Sequence, residues 1–252
     1  MNSRQFLLEI PAIMSEDKEL DNKPVDIIAS VVKGLVGAIP IAGPLFAEFV
    51  GYVLPNQRLD RITRFLEIFD HRISNLEQEE VRSKLLNEGF SDLFEESLRQ
   101  ASQSLTDDRR TYIASLLANS IQEQDIEYIE AKYLLRILAE LNDIEIIWLR
   151  YYLNLSMGGD VQFRETHKKV LTPIYATMSD PTDVVEKESL QNNYKEHLGR
   201  LGLLRHRYEI DRKTKMPEFD SITGEQKVNG YQITALGRLL LRYIGLSLGE
   251  EL

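Results

Sequence analysis

The stretch Leu190-Gln-Asn-Asn-Tyr194-Lys-Glu-His-Leu198-Gly-Arg-Leu201-Gly202-Leu-Leu204 runs directly into Arg205-His-Arg207-Tyr-Glu-Ile210. After a polar loop the pattern resumes as Gly230-Tyr-Gln-Ile233-Thr234-Ala-Leu236-Gly-Arg238. Leu190, Tyr194, Leu198 and Leu201 recur at helical spacing and define one apolar face. Gly202 follows as a helix stop. Short alternating segments on either side of the polar loop predict a β-hairpin. Thr234 stands where an N-cap opens a last helix. Helix, hairpin and helix in this order predict a winged-helix-like module. The expected fold class is mainly α, with an N-terminal multi-helix domain followed by this module and its short hairpin.

Working outward, the expected organisation is a flexible segment over 1–22, a helical domain over 23–124 and the winged-helix-like domain over 125–252. In the helical domain, Asn56 after Pro55 starts an amphipathic helix, with Leu59, Ile62, Leu66, Phe69, Ile73 and Leu76 as its buried stripe. Its Arg58, Arg61, Arg64 and Arg72 are interspersed with acids and read as a solvated face. Phe94, Leu98, Ala101 and Leu105 step along the next helix. Thr106-Asp-Asp108 opens a third, with acids placed favourably in its first turn and Tyr112, Ile113, Leu116, Leu117 and Ile121 as its core face. The helix after it carries Ile129, Tyr133, Leu134, Ile137, Leu138 and Leu141. Asn142 with Glu145 forms a capping-box signature for the helix holding Trp148, Tyr151 and Tyr152. The segment 155–183 is irregular, with one short helix expected near Arg164–Val170.

The most apolar segment spans Ile27 to Glu48. Its charge-free centre, Gly34 to Ala47, is shorter than the roughly 20 residues a spanning helix needs, and Pro40, Gly43 and Pro44 divide it into two short helices. A buried helical hairpin is the favoured reading, and a conditional membrane-inserting element is the alternative. Leu35, Val36, Ile39, Ile41, Leu45 and Phe46 are its candidate membrane or partner contacts.

The chain has 252 residues, 43% hydrophobic content, no cysteine and a net charge of -10. That composition suits a globular protein, excludes disulfides and thiolate ligands, and opposes a protein that coats nucleic acid without specificity. The charge is uneven: residues 192–242 hold 10 Lys/Arg against 6 Asp/Glu. The candidate nucleic-acid contacts are Asn192, Lys195 and Arg200 on the helix and Arg205, Arg207, Arg212, Lys213 and Lys215 on the wing. The N-terminus lacks the apolar core of a signal peptide, so the cytoplasm is the expected compartment, with membrane association on activation.

Catalytic signatures are missing from the sequence. Gly34-Leu-Val-Gly37 lacks the lysine and hydroxyl of a phosphate loop. His71, His167, His197 and His206 are not at zinc-ligand spacing. Adjacent acids such as Glu95 and Glu96 point in different directions on a helix. No serine sits in a nucleophile elbow. No catalytic, cofactor or metal residue is assigned, no cofactor is implied, and no small-molecule substrate is inferred.

Three stretches resemble the abortive-infection alpha (Abi-alpha) family of bacterial phage-defence proteins. They are Gly34 to Leu76, then Asp107 to Ser120 with its Leu116-Leu-Ala-Asn119 ending, and the pair Leu201-Gly-Leu-Leu204 and Ile233-Thr-Ala-Leu-Gly-Arg238. The likeness covers roughly residues 30–245, with degenerate helical motifs; the segment 155–183 and the loop from Asp211 to Asn229 depart from it. The resemblance implies a part in antiviral defence and carries no catalytic residues. Expected modes of action are a shielded apolar hairpin acting on membranes, a winged-helix DNA-binding regulator or sensor, or a protein-interaction scaffold. A protein partner or self-association is expected, with DNA and conditional membrane contact as alternatives.

Overall fold

The computed structural model describes residues 39, 56–76, 81, 83–84, 87–122, 126–156, 159–177, 179–211, 213–221 and 224–247. Within them the order is α1 (Asn56–Ile73), α2 (Glu88–Gln103), α3 (Asp107–Gln122), α4 (Tyr128–Glu140), α5 (Asp143–Tyr151), α6 (Val161–Thr166), α7 (Lys168–Leu171), α8 (Thr182–Arg200), β1 (Leu204–Tyr208), β2 (Val228–Ile233) and α9 (Ala235–Tyr243). The chain is mainly helical, with one small antiparallel two-stranded sheet.

Helices α1 to α4 form the body, and α3 is its post. It packs against α1, α2, α4 and α9, so nine of its sixteen residues are buried and no single wet face remains. Helix α1 starts at Asn56, where the sequence reading placed it, and buries Leu59, Ile62, Leu66, Phe69 and Ile73. Phe65 and Phe69 stack at 6.3 Å, and Phe69 meets Phe94 at 6.1 Å. Phe90 extends this aromatic column to an edge contact with Tyr128 at 5.5 Å. Aromatic pairs of this geometry add to the hydrophobic gain of burial.

Some expected core positions face outward. Leu105 is 80% exposed because α2 ends at Gln103, which puts Leu105 in the turn before α3. Ile129 and Tyr133 are exposed, while Ala131, Leu134, Leu135, Ile137 and Leu138 form the buried face of α4. Leu190 is 53% exposed. The cause is the register of α8, which begins at Thr182, well before Leu190, and buries only Gln191 and Leu198.

Caps fix several boundaries. Asn142 Oδ1 accepts from Glu145 N at 2.9 Å, and Glu145 Oε2 accepts from Asn142 N at 2.8 Å, completing the expected capping box. Thr234 Oγ1 accepts from Gly237 N at 3.0 Å at the start of α9. Gly202 ends α8 in the left-handed region, at φ 73°, where glycine alone pays no side-chain penalty. In the connecting segment the single expected short helix is two, α6 and α7, separated at His167.

Buried residues from both sides of residue 125 join one cluster. Arg109 links the body to α5: its guanidinium donates to the carbonyls of Leu138 (2.8 Å) and Leu141 (2.6 Å) and pairs with Asp143 at 2.8 Å. At the other end α9 returns to α3, where Asn119 Nδ2 donates to Tyr243 O at 3.0 Å. Gly237 makes that return fit against the residue that leads into β1, since a Cβ there would stand 2.4 Å from Leu203 O.

Of the apolar 34–54 segment, Ile39 is described. It is 3% exposed and belongs to the core. Leu35, Val36, Ile41, Leu45 and Phe46 lie outside the described residues. No helix among the described residues is long and apolar enough to cross a membrane.

Candidate functional site

Helix α8 and the hairpin that follows it hold the sequence-predicted contact residues. Two links seat α8 on α5. Glu145, buried, brings Oε1 to 2.7 Å from His197 Nδ1. Lys195 lies with Nζ 4.6 Å above the Trp148 ring, and burial pulls its pKa below the usual lysine value. A third anchor is Gln191, whose side chain accepts from Ile174 N at 3.2 Å and donates to Thr172 O at 3.0 Å, holding the segment after α7. Sequence reasoning missed Gln191 because a polar residue one step off a leucine stripe looks like surface.

The next anchor joins α8 to the sheet. Glu196 Oε1 accepts from the Tyr231 hydroxyl at 2.5 Å and lies 3.2 Å from His206 Nε2. The Tyr231 hydrogen bond, opposed by desolvation and helped by His206, holds the Glu196 carboxyl below the usual glutamate range. Burial, then the hydrogen bond to Glu196 and its charge, pushes the Tyr231 hydroxyl up. Around this node runs an aromatic seam. Trp148 meets Tyr152 at 6.2 Å, Tyr152 meets Tyr231 at 5.9 Å, Tyr231 meets His206 at 5.1 Å, and His206 meets Tyr208 at 6.0 Å. The seam packs the hairpin onto α5 with its rings in contact with one another.

The candidate nucleic-acid residues are therefore only partly brought together. Asn192 and Arg200 are exposed on α8. Lys195 is engaged with Trp148, and Glu196 occupies the middle of the same face. Arg205 is exposed on β1 and donates to Gln232 Oε1 across the sheet at 3.1 Å. Arg207, Lys213 and Lys215 are exposed, and Arg212 lies outside the described residues. Residues 204–233 hold six basic and five acidic residues, so the hairpin offers almost no net positive field to a phosphate backbone.

The polar loop between the strands has an internal order that the sequence reading did not foresee. Strands β1 and β2 pair from Leu204–Ile233 to Tyr208–Val228, with a register shift after Arg207. Beyond them three backbone segments meet in a closed triangle: Glu209 N donates to Lys227 O at 2.8 Å, Lys227 N to Glu218 O at 2.8 Å, and Glu218 N to Glu209 O at 2.9 Å. Two turns project from the triangle. In one, Asp211 Oδ1 accepts from Lys213 N (2.8 Å) and Thr214 N (2.6 Å), which holds the Asp211 carboxyl below its usual range. In the other, Asp220 N donates to Glu225 O at 2.8 Å. Backbone groups thus satisfy each other without a core beneath them.

This scaffold displays Tyr208, Ile210, Met216, Phe219 and Val228, all large, apolar and exposed. Isolated bridges pair Ile210 with Pro217 and Phe219 with Gln226, so these side chains stand on ordered backbone. The sequence signal was present in the alternation Tyr208-Glu-Ile210 and in Phe219 beside Pro217. It was masked by the surrounding charges. Among the described residues no group of three or more metal-type ligands occurs. Comparison with protein-family models, with curated proteins and with solved structures finds no match to this chain.

Proposed function

We propose that this chain is a non-enzymatic antiviral-defence protein that acts by self-association through the wing of a winged-helix-like module. The single observation that carries the reading is the set of five exposed apolar side chains on the wing. Exposed apolar clusters on an ordered scaffold are a feature of protein contact surfaces. The near balance of six basic and five acidic residues over 204–233 favours a second copy as the partner. Two wings of this composition meet without the repulsion that a chain of net charge -10 imposes elsewhere.

The defence role rests on the Abi-alpha resemblance of Gly34–Leu76, Asp107–Ser120 and the motifs flanking the hairpin. The winged-helix reading rests on the order α8, β1, wing, β2, with α5 packed behind α8 and α7 packed against α5. DNA binding is the weaker use of this module, because Lys195 and Glu196 are committed within the fold and the wing is close to neutral.

The test is phage plaquing on a susceptible host. Cells making the wild-type chain plate phage less efficiently, and the double variant Ile210→Ser/Phe219→Ser, with an unchanged melting temperature, restores plaquing. Full protection by that variant refutes the reading.

A second reading is conditional membrane action of the 34–54 segment from a cytoplasmic resting state; Ile39 in the core fits the shielding that such a resting state requires, as it fits a plain buried hairpin. A resting state that shields this segment leaves full-length protein at the bottom of a gradient with anionic liposomes, and activation brings flotation that survives moderate salt. If Leu35→Asp/Ile39→Asp stays folded and still confers defence, membrane action is excluded.

A further inference from the structure

A cavity of about 760 Å³ opens between the C-terminal half of α1 and the end of α3, away from the wing, with Arg64, Glu67, His71, Arg72, Asn119 and Gln122 in its wall. Most of these groups have intramolecular work. Arg64 pairs with Glu67 at 3.0 Å and lies 4.0 Å from Asp107. Asn119 holds α9 through Tyr243 O, and Gln122 Nε2 donates to Arg72 O at 3.0 Å. Arg72 is different. Its guanidinium is half-buried and makes no ion pair or hydrogen bond among the described residues, and burial pulls its pKa below the usual arginine value.

An arginine has five donors in a fixed fork. At Arg72 that fork is partly withdrawn from water and still reaches the cavity, so its donors are open to a ligand there. Gly245, which closes α9 at φ 78°, brings the end of that helix beside Arg72: a Cβ there would lie 3.8 Å from Nη1, an ordinary contact. His71, exposed at the rim, offers a further ring nitrogen.

We infer that this cavity binds a small oxyanion ligand, with a phosphate or carboxylate group seated on the Arg72 fork and the remainder lying toward Ile68 and Ala118. Guanidinium with phosphate or carboxylate is the pairing that fills such a fork with two parallel hydrogen bonds. The site is independent of wing-mediated association, and a ligand here stabilises the α1–α3 pair by mass action.

The test titrates inorganic phosphate, and separately acetate, into the full-length chain at constant ionic strength, with chloride as the control. Melting temperature and the Arg72 side-chain N–H resonance are followed. The expected result is a saturable rise in melting temperature and a moving Arg72 resonance with phosphate, acetate or both. The anion that acts identifies the group. Arg72→Gln weakens that binding by about tenfold or more. If Arg72→Gln fails to fold, the wild-type Arg72 resonance alone decides. No response to either anion beyond chloride overturns the site, as does equal binding by a folded Arg72→Gln.

Discussion

Helices α3 and α8 are of similar length and have opposite relations to the rest of the molecule. Nine of sixteen residues are buried in α3, and two of nineteen in α8. The first is held on all sides by hydrophobic contact, which is non-directional and distributed. The second has a narrow apolar seat, Leu198 with Tyr194 and Leu201 beside it, and is otherwise held by directed links: Gln191 to the segment after α7, Lys195 on Trp148, His197 at Glu145, and Glu196 at Tyr231 and His206. A helix held in the first way tolerates loss of a polar group and suffers from loss of volume. A helix held in the second way is sensitive to particular polar atoms, and its outer face is left free for contact.

The largest expected effect tests the α3 side. Leu117→Ala removes a fully buried side chain and costs about 2–5 kcal/mol in chemical denaturation, while Leu190→Ala on α8 stays within about 0.5 kcal/mol. Equal costs would remove the contrast. Next comes the link from α3 to α5, the helix on which α8 is seated. Arg109→Ala leaves the carbonyls of Leu138 and Leu141 without their donor and lowers stability by roughly 2–3 kcal/mol. A loss below that of an ordinary surface arginine would show that the bonds contribute little.

Gly237→Ala pushes a methyl group against Leu203 O and Ile233. Its cost is about 1–3 kcal/mol, and chemical-shift changes should centre on β1 and α9. An undisturbed β1 would contradict the close approach. The smallest effect is pH-dependent. Glu196 has its folded pKa lowered, first by Tyr231, so its contribution is present above the unfolded glutamate pKa and lost as pH falls through the folded value. The stability difference between wild type and Glu196→Gln is therefore below about 1 kcal/mol near neutral pH for this half-exposed group and vanishes in acid. A difference that grows in acid would reverse the assigned sign.

Legibility in the sequence follows the same division. The body was readable where burial is continuous and periodic, as in Leu59 to Ile73 and Ile113 to Ile121. The caps at Asn142, Gly202 and Thr234 were readable because each rests on local chemistry. Misreadings fell where an apolar residue lies just past a helix end, as Leu105 does, or where register is set by a distant partner. Leu190 looked like core because a 3.6-residue period carries no information about which stripe the neighbour covers. Trp148 and Gln191, which set the register of α8, act across the fold. The loop between β1 and β2 was the least legible part. Its triangular backbone junction arises from pairings among residues 209, 218 and 227 that no local pattern encodes, and its apolar display was hidden among charges. The unpaired state of Arg72 was equally invisible, since its sequence neighbours suggested a solvated mixed-charge face.

The proposed self-contact surface on the β1–β2 loop is tested most directly by light scattering of the size-fractionated full-length chain over a range of concentrations. The account predicts a mass that rises from monomer toward dimer for wild type and stays monomeric for Ile210→Ser/Phe219→Ser, with the two melting at the same temperature. A wild-type chain that remains monomeric throughout, or a double variant that associates as well as wild type, would contradict it.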